Sequence, residues 1–500
     1  MTGAVLGVDI GTSSSKGVVV DLDGRILATA TRTHDVSRPR PGWAEMDAAV
    51  WWDEFVSLSA ELLAAVDGLR VEAVGVSGMG PCVLITDAEG TPLRPAILYG
   101  VDTRAQEQIA TLTARYGRDA VVGRSGSELS TQAVGPKLAW LADHEPDRTA
   151  AARLLFMPAS WLGWNLTGDY ALDHHSASQS VPLYDRTALA WYEPWWRDIA
   201  PGIVPPPLVW PGDVVGRVTD AASAATGLPA GTPVIAGTID AWTEAVSVNA
   251  QNPGDLMLMY GTTMFLIGTT TKPLTAPGLW GTAGAFPGVH NLAGGMATSG
   301  AITSWLRELF GSPGYEDLLD EAARSGVGAN GLLMLPYFAG ERTPIADPDA
   351  RGLIAGLTVE HTRGDLYRAA LEATAMGVRH NVAAFRDAGV PIERVVAVGG
   401  GTKGALWAQV VSDVTGLAQD VPSVTIGASY GAAYLAARSQ VAVEIEDWNP
   451  TASVVVPDPE TADFYGRLYG LYRELYPATA GIGHRLAAMQ REAASVRRAR

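Results

Sequence analysis

One cysteine, Cys82, stands in 500 residues. No intrachain disulfide can form, and a single thiol fits a reducing compartment. No apolar run approaches the ~18 residues a membrane-spanning helix needs, and no charged leader precedes an apolar segment at the start. A cytoplasmic protein is the expectation, with no glycan on the sequon Asn165-Leu166-Thr167. Positive charge is scarce too: 36 Lys and Arg face 53 Asp and Glu, a formal net charge of −17. That balance argues against nucleic acid or a membrane surface as partner. It leaves room for a small anionic ligand, because converging backbone amides bind anions whatever the global charge. There is no G-x-x-x-x-G-K-[ST] run, so a P-loop ATPase is not expected.

What the chain does have is core material and hydroxyl-rich glycine turns. Hydrophobic residues make up 47% and charged residues 18%, an ordinary globular balance, and the length favours two or more domains. An apolar strand, Val5–Val8, runs into "DIGTSSSKG" (9–17), and a second strand runs out of it to Asp21. Residues 47–66 repeat Val50, Trp51, Phe55, Leu58, Leu62 and Val66 at helical spacing behind Asp47 as N-cap. A buried strand follows at 71–79, so strands and helices alternate as in an α/β fold. The proline-rich stretch 201–213 reads as an ordered surface crossing rather than a helix. At 254–271 the opening device returns: strand, Gly261-Thr262-Thr263, strand. Two such turns hint at an internal duplication and would clamp a triphosphate between them, glycine allowing close approach and hydroxyls adding donors.

Two further stretches carry chemistry. "VGGGTKGALW" (398–407) contains a literal G-x-G-x-x-G, readable as a dinucleotide site or as the floor for an adenosine. "VIAGTIDAWTEAV" (234–246) puts Asp240 at a strand end and helix start, where it is either a general base for a hydroxyl or a simple N-cap. His174-His175 on an extended segment would point to opposite sides, a poor metal pair. The final helix, from 457, places Phe464, Leu468, Leu471 and Leu475 on one helical face with Tyr465, Tyr469, Tyr472 and Tyr476 beside them, and reads as a packing helix.

Ordered stretches at 6–21, 40–54, 335–352 and 398–416 together resemble the FGGY carbohydrate kinases, of the actin–hexokinase–Hsp70 structural class. "LPYFAGERTPIADPDARG" (335–352) is similar to the xylulokinase form of that family's long signature. The resemblance implies two actin-like, ribonuclease H-like α/β domains, 1–248 and 249–445, a catalytic cleft between them, and a helical tail 446–500. It implies an ATP- and Mg²⁺-dependent phosphorylation of a sugar hydroxyl, D-xylulose to D-xylulose 5-phosphate being the reference reaction. Asp240 matches the catalytic base, and Asp9 with Asp240 the Mg²⁺ site. Gly11, Thr12, Ser13, Ser14 and Lys16 match the first phosphate loop; Gly261, Thr262 and Thr263 match the second. Gly300, Ser304, Gly400, Gly401 and Ala405 match nucleotide contacts. Met79, Gly80, Pro81, Asp102 and Gln132 fall on acceptor-binding positions. Relatives form dimers, so a homodimer stays open, as no segment here marks an interface.

The departures lie at the acceptor. Where xylulokinases carry Gln-Met-His-Gly and glycerol kinases an Arg-Glu pair, this chain has Met79-Gly80-Pro81-Cys82, and Ala241 follows Asp240 where Asn or Gln is common. Fewer side-chain donors mean fewer fixed bonds to sugar hydroxyls. Ribulose, a gluconate-type sugar acid or a polyol therefore remain alternative acceptors, and a nucleotide-gated binding protein without kinase activity is the alternative of another class.

Overall fold

Thr2–Ile10 (β1) is the central strand of the first sheet in the computed structural model, which describes residues 2–498. It turns back antiparallel into Ser14–Asp21 (β2), which pairs with Ile26–Thr33 (β3). After the helix Ala48–Ala64 (α1), Leu69–Gly78 (β4) returns parallel to the other edge of β1. Val214–Arg217 (β5), Pro233–Ile235 (β6) and Thr238–Ile239 (β7) complete seven strands in the order β5-β6-β4-β1-β2-β3, with β7 also on β4. Asp47 caps α1 by accepting from the Ala49 N–H at 2.9 Å, and Trp51, Phe55, Leu58 and Leu62 bury its inner face against this sheet. The helix Asp240–Ser247 (α2) begins directly where β7 ends.

The second sheet repeats the device. Asp255–Tyr260 (β8) and Met264–Thr270 (β9) form the hairpin, extended by Trp280–Ala283 (β10) and His290–Met296 (β11). Gly300–Leu309 (α3) and Arg363–Asp387 (α4) follow. Arg394–Gly399 (β12) then pairs parallel with β8, as β4 does with β1. Ala405–Thr415 (α5) leads to Gln419–Pro422 (β13), Ala428–Arg438 (α6) and Thr451–Val455 (β14), giving the order β10-β11-β9-β8-β12-β13-β14. The duplication read from two Gly-hydroxyl turns is thus a duplication of strand order. Strand β8 is flanked by an antiparallel hairpin, so the G-x-G-x-x-G at β12–α5 does not sit in a doubly wound dinucleotide fold.

Helix α6 departs from the expected partition. It lies in sequence between β13 and β14 of the second sheet yet packs on β1 and β4 of the first. Gly7 and Gly75 make this possible, since a Cβ at either would collide with the carbonyl of Ser429 or Ala432. Gly431 admits the Thr243 carbonyl of α2 in the same way. Val5, Ala73, Ile235 and Val246 share one apolar cluster with Tyr430, Ala433 and Leu435. The tail also differs from a purely helical one: β14 is an edge strand of the second sheet, and only Ala462–Arg498 (α7) is a long helix. Its buried face is centred on Tyr465 and Tyr472, with Phe464, Leu468 and Leu475 packed beside them, whereas Leu471 is 56% exposed. The Tyr465 hydroxyl reaches Glu372 and Arg368 of α4, which rewards burial of a polar aromatic. Residues 201–213 hold no helix, only a two-residue strand at Leu208–Val209. Among the described residues no helix is long and apolar enough to cross a membrane.

Candidate active site

Strand register sets one row across the first sheet: Lys16 opposite Asp9, Asp9 opposite Ser77, Ser77 opposite Thr238. Neighbouring strands are about 4.8 Å apart, so Asp240, two residues past Thr238, comes within electrostatic reach of Asp9. Burial first, then the Asp240 charge, pushes the Asp9 carboxyl up to about 8. Burial raises Asp240 to about 6, opposed by the Ala241 N–H that its Oδ1 accepts at 2.7 Å. Glu244, one turn along α2 on the same face, is pushed to about 7 by burial and by Asp240. Lys16 lowers both Asp9 and Glu244. Three acids and one lysine leave this floor short of positive charge, and Asp9 Oδ1 is buried without a hydrogen-bond partner. Sequence reasoning missed Glu244, although its i+4 spacing from Asp240 was there to read.

Both glycine-hydroxyl turns close in the same way. The Gly11 N–H donates to Ser14 O and the Gly261 N–H to Thr263 O, each at 3.1 Å. His34 ties down the first turn, its Nε2 3.1 Å from Gly11 O and its Nδ1 2.9 Å from Glu54. Thr12 is held by Tyr99, hydroxyl to hydroxyl at 2.8 Å, which links the acceptor segment to the phosphate turn. Ser13 and Lys16 are exposed and Ser14 half-buried. At the second turn the Gly300 and Ala301 N–H groups, at the start of α3, donate to Gly261 O and Thr262 O at 3.0 and 3.1 Å. A cavity of about 510 Å³ opens there, lined by Gly261, Thr262, Gly300, Ser304, Gly400 and Gly401 with Tyr315, Tyr367 and Trp407. Glycine floor, aromatic walls and a helix start suit a nucleotide. Thr263 and Ala405 do not line this cavity; Ala405 faces solvent at the head of α5, and Gly404 lines the wall instead.

The acceptor positions are rearranged more deeply. The Met79 side chain is buried in the core of the first sheet. Gly80 packs so closely on Ile239 that a Cβ would displace it, the Gly80–Pro81 peptide is cis, and Cys82 Sγ lies 3.6 Å from Met79 O. The loop therefore offers the cleft backbone and no polar side chain. Asp102, expected to bind hydroxyls, is instead fully enclosed: Oδ1 accepts from Arg104 N and Nε at 3.1 and 3.0 Å, Oδ2 from Ala44 N and Arg104 Nη2, both at 2.7 Å. Arg104 also meets Glu45 at 2.7 Å and stacks 3.9 Å from Trp43. Asp102 thus fixes the segment, and its lone pairs are spent. Gln132 Oε1 accepts from Gly100 N at 2.7 Å and its side chain lines a second cavity between the halves. Sequence reasoning also missed Phe265, which meets Trp242 edge-on and Trp280 at a tilt, ring centroids 5.9 and 5.7 Å away.

His174 and His175 lie on a short helix, His174–Ser178, not on an extended segment. His175 packs 4.0 Å from Trp242, and burial holds its ring neutral, down to about 3. Its Nδ1 donates to Ala283 O at 2.7 Å, Gln179 donates to its Nε2 at 2.9 Å, and Ala283 N donates to Ser178 Oγ at 3.0 Å. This histidine therefore stitches the two halves. Glu341 accepts from Ala297 N and Arg342 N at 2.8 and 2.7 Å, a brace within the second half.

Residues 4–247 match the N-terminal domain, and residues 256–440 the C-terminal domain, of the FGGY family of carbohydrate kinases. The chain is 28% identical over 489 residues to the xylulose kinase of Staphylococcus epidermidis, covering 95% of this chain and 97% of that one. It is 34% identical over 456 residues to the glycerol kinase of Nocardia farcinica, covering 86% and 89%. The crystal structure of xylulose kinase from Rhodospirillum rubrum superposes with a TM-score of 0.90 at 33% identity, covering 96% of this chain and 100% of that one.

Proposed function

The chain belongs to the FGGY family of carbohydrate kinases, and from that we propose that it phosphorylates a keto-sugar of the D-xylulose type at the expense of ATP, giving D-xylulose 5-phosphate. Full-length similarity to xylulose kinases supports this acceptor. The observation that carries the chemistry is the juxtaposition of Asp9, Asp240 and Lys16 beside two phosphate-type turns. Asp240 accepts the proton of the attacking hydroxyl. Lys16 and the amides of the Gly11–Ser14 and Gly261–Thr263 turns hold the phosphates in line. Closure of the two halves excludes water. Asp9 and Asp240 fit a Mg²⁺ site: Asp9 Oδ1 is a buried acceptor without a donor, and Mg²⁺ commonly takes one or two carboxylates plus substrate phosphates. Bound there, Mg²⁺ would offset the charge of the transferring phosphoryl group.

A second acceptor has its own support. The loop at Met79–Cys82 and Ala241 offer no polar side chain, and the glycerol kinase of Nocardia farcinica is 34% identical. ADP release is to be measured with D-xylulose, D-ribulose, glycerol and gluconate. The proposal expects D-xylulose to show the highest kcat/KM. A higher value for another acceptor overturns the substrate assignment. No acceptor-stimulated release from any overturns the activity.

A further inference from the structure

The tail helix α7 runs 37 residues, about 55 Å and about three times an ordinary helix. One face of its outer half is anchored to the loop 347–351. Ala487 is buried, His484 Nε2 lies 2.6 Å from Asp347 Oδ2, Arg351 Nε donates to Gln490 Oε1 at 2.8 Å, and Arg491 pairs with Asp349. Further round the helix a second face is bare. Ile482, Leu486 and Met489 follow at i, i+4 and i+7 and are 54, 49 and 64% exposed. Ala478 and Leu471 carry the same row back along the helix, both exposed. Single exposed leucines are ordinary, but a row of large apolar side chains on one held helix is a contact surface.

The charges beside that row identify its occupant. Arg467, Glu474, Arg485 and Glu492 are all exposed and alternate in sign. Their spacings of 7, 11 and 7 residues are close to whole turns, so all four lie along one side of the row. Among the described residues Glu474 and Arg485 make no hydrogen bond and no ion pair. Turn a second α7 end for end about Ala480. Glu474 then falls level with Arg485 of the second copy, Arg467 with Glu492, and Ala478 with Ile482, each to within one residue. Leu471 and Met489 meet at the two ends of the seam. A single two-fold axis satisfies every pair, as a self-complementary interface requires. Charges flanking an apolar seam set orientation, and a parallel pair in register would bring like charges level. A membrane surface fits less well, because helices that lie on one carry an excess of Lys and Arg beside the apolar face, whereas this flank carries both signs equally.

We propose that this face of α7 is a two-fold interface with a second copy of the chain, the two helices running antiparallel and crossing at Ala480. Ala478, Ile482 and Leu486 form its centre, with the small Ala478 letting the two axes come close. Leu471 and Met489 stand on the rim, where side chains contribute little. The interface lies outside the nucleotide and acceptor positions, so it stands or falls apart from the kinase reading above.

The test is light scattering during size exclusion, over a dilution series, on the whole chain and its variants. Wild type is expected at twice the chain mass. Ile482→Glu, Glu474→Arg and Arg485→Glu should each shift toward the monomer at a given concentration. The two charge variants, mixed, should regain the dimer, since one copy then supplies both arginines and the other both glutamates. Glu474→Arg and Arg485→Glu combined in one chain should regain it too. A wild type that stays monomeric at every concentration overturns the interface, whatever else covers the face. So does a dimer that Ile482→Glu leaves intact, or a pair of charge variants that associate no better mixed than alone. Circular dichroism checks that each variant is folded, and should Ile482→Glu not be, the mixing result decides.

Discussion

Asp240 can act as a base only when ionised, and burial delays that to about pH 6. Acceptor kcat/KM should therefore climb with pH through about 6 and level off above. Asp240→Asn should cut kcat by roughly 10²–10⁴-fold while ATP affinity, by calorimetry, changes little. Asp9 makes the opposite kind of statement, about the unliganded fold. Its carboxyl is raised to about 8, so the folded chain holds a proton that the unfolded chain, near 4, has lost. That contribution is present at acid pH and drains away as pH rises toward 8. Asp9→Asn should consequently raise the melting temperature of the ligand-free protein at pH 8 and do so less at pH 5, although it removes activity. A drop at pH 8 would contradict the crowding of acids described above. Asp9, Lys16 and Asp240 were legible in the sequence because each sits at a strand or helix end with a turn signal beside it. The burial of Asp102 was not, because its partner Ala44 N lies 58 residues away and only the fold brings them together.

Elements were readable where one face met one layer. α1 was, since its apolar spacing and Asp47 cap are local. The tail was readable as a packing helix apart from Leu471, but no period reveals that Tyr465 and Tyr472 are buried through hydroxyl contacts with Glu372, Arg368 and Tyr337. Tyr465→Phe should therefore cost about 1–3 kcal/mol by denaturant unfolding, leaving Glu372 short of a donor. Leu471→Gln, on the exposed side, should stay within about 0.5 kcal/mol of wild type. The sheet-to-helix contact under α6 is stricter. Gly75→Ala forces a methyl into the Ala432 carbonyl, and a loss of about 1–3 kcal/mol is expected from the overpacking, read by the same unfolding measurement.

At the scale of the molecule, two sheets of one strand order face each other across a seam. The duplication was half visible, in two turns 250 residues apart, and the seam was invisible. His175, Ser178, Trp242 and Gly126 reach across it to Ala283, Asn291 and Gly281. A nucleotide and an acceptor that both require the closed seam should each tighten the other's binding. Their joint rise in melting temperature is expected to exceed the sum of their separate rises, and strict additivity would mean that the halves do not close on both.

The placement of α6 has a consequence for how the chain comes off the ribosome. By residue 248 every strand of the first sheet has been made, but the face over Gly7 and Gly75 is still bare. Its cover, residues 428–438, is translated some 180 residues later, roughly 10–40 s at ordinary elongation rates. Through that interval the nascent N-terminal half carries an uncovered apolar face formed by Val5, Ala73 and Ile235. That face stays open to holding chaperones until residues 428–438, at the start of the last seventh of synthesis, supply its missing layer.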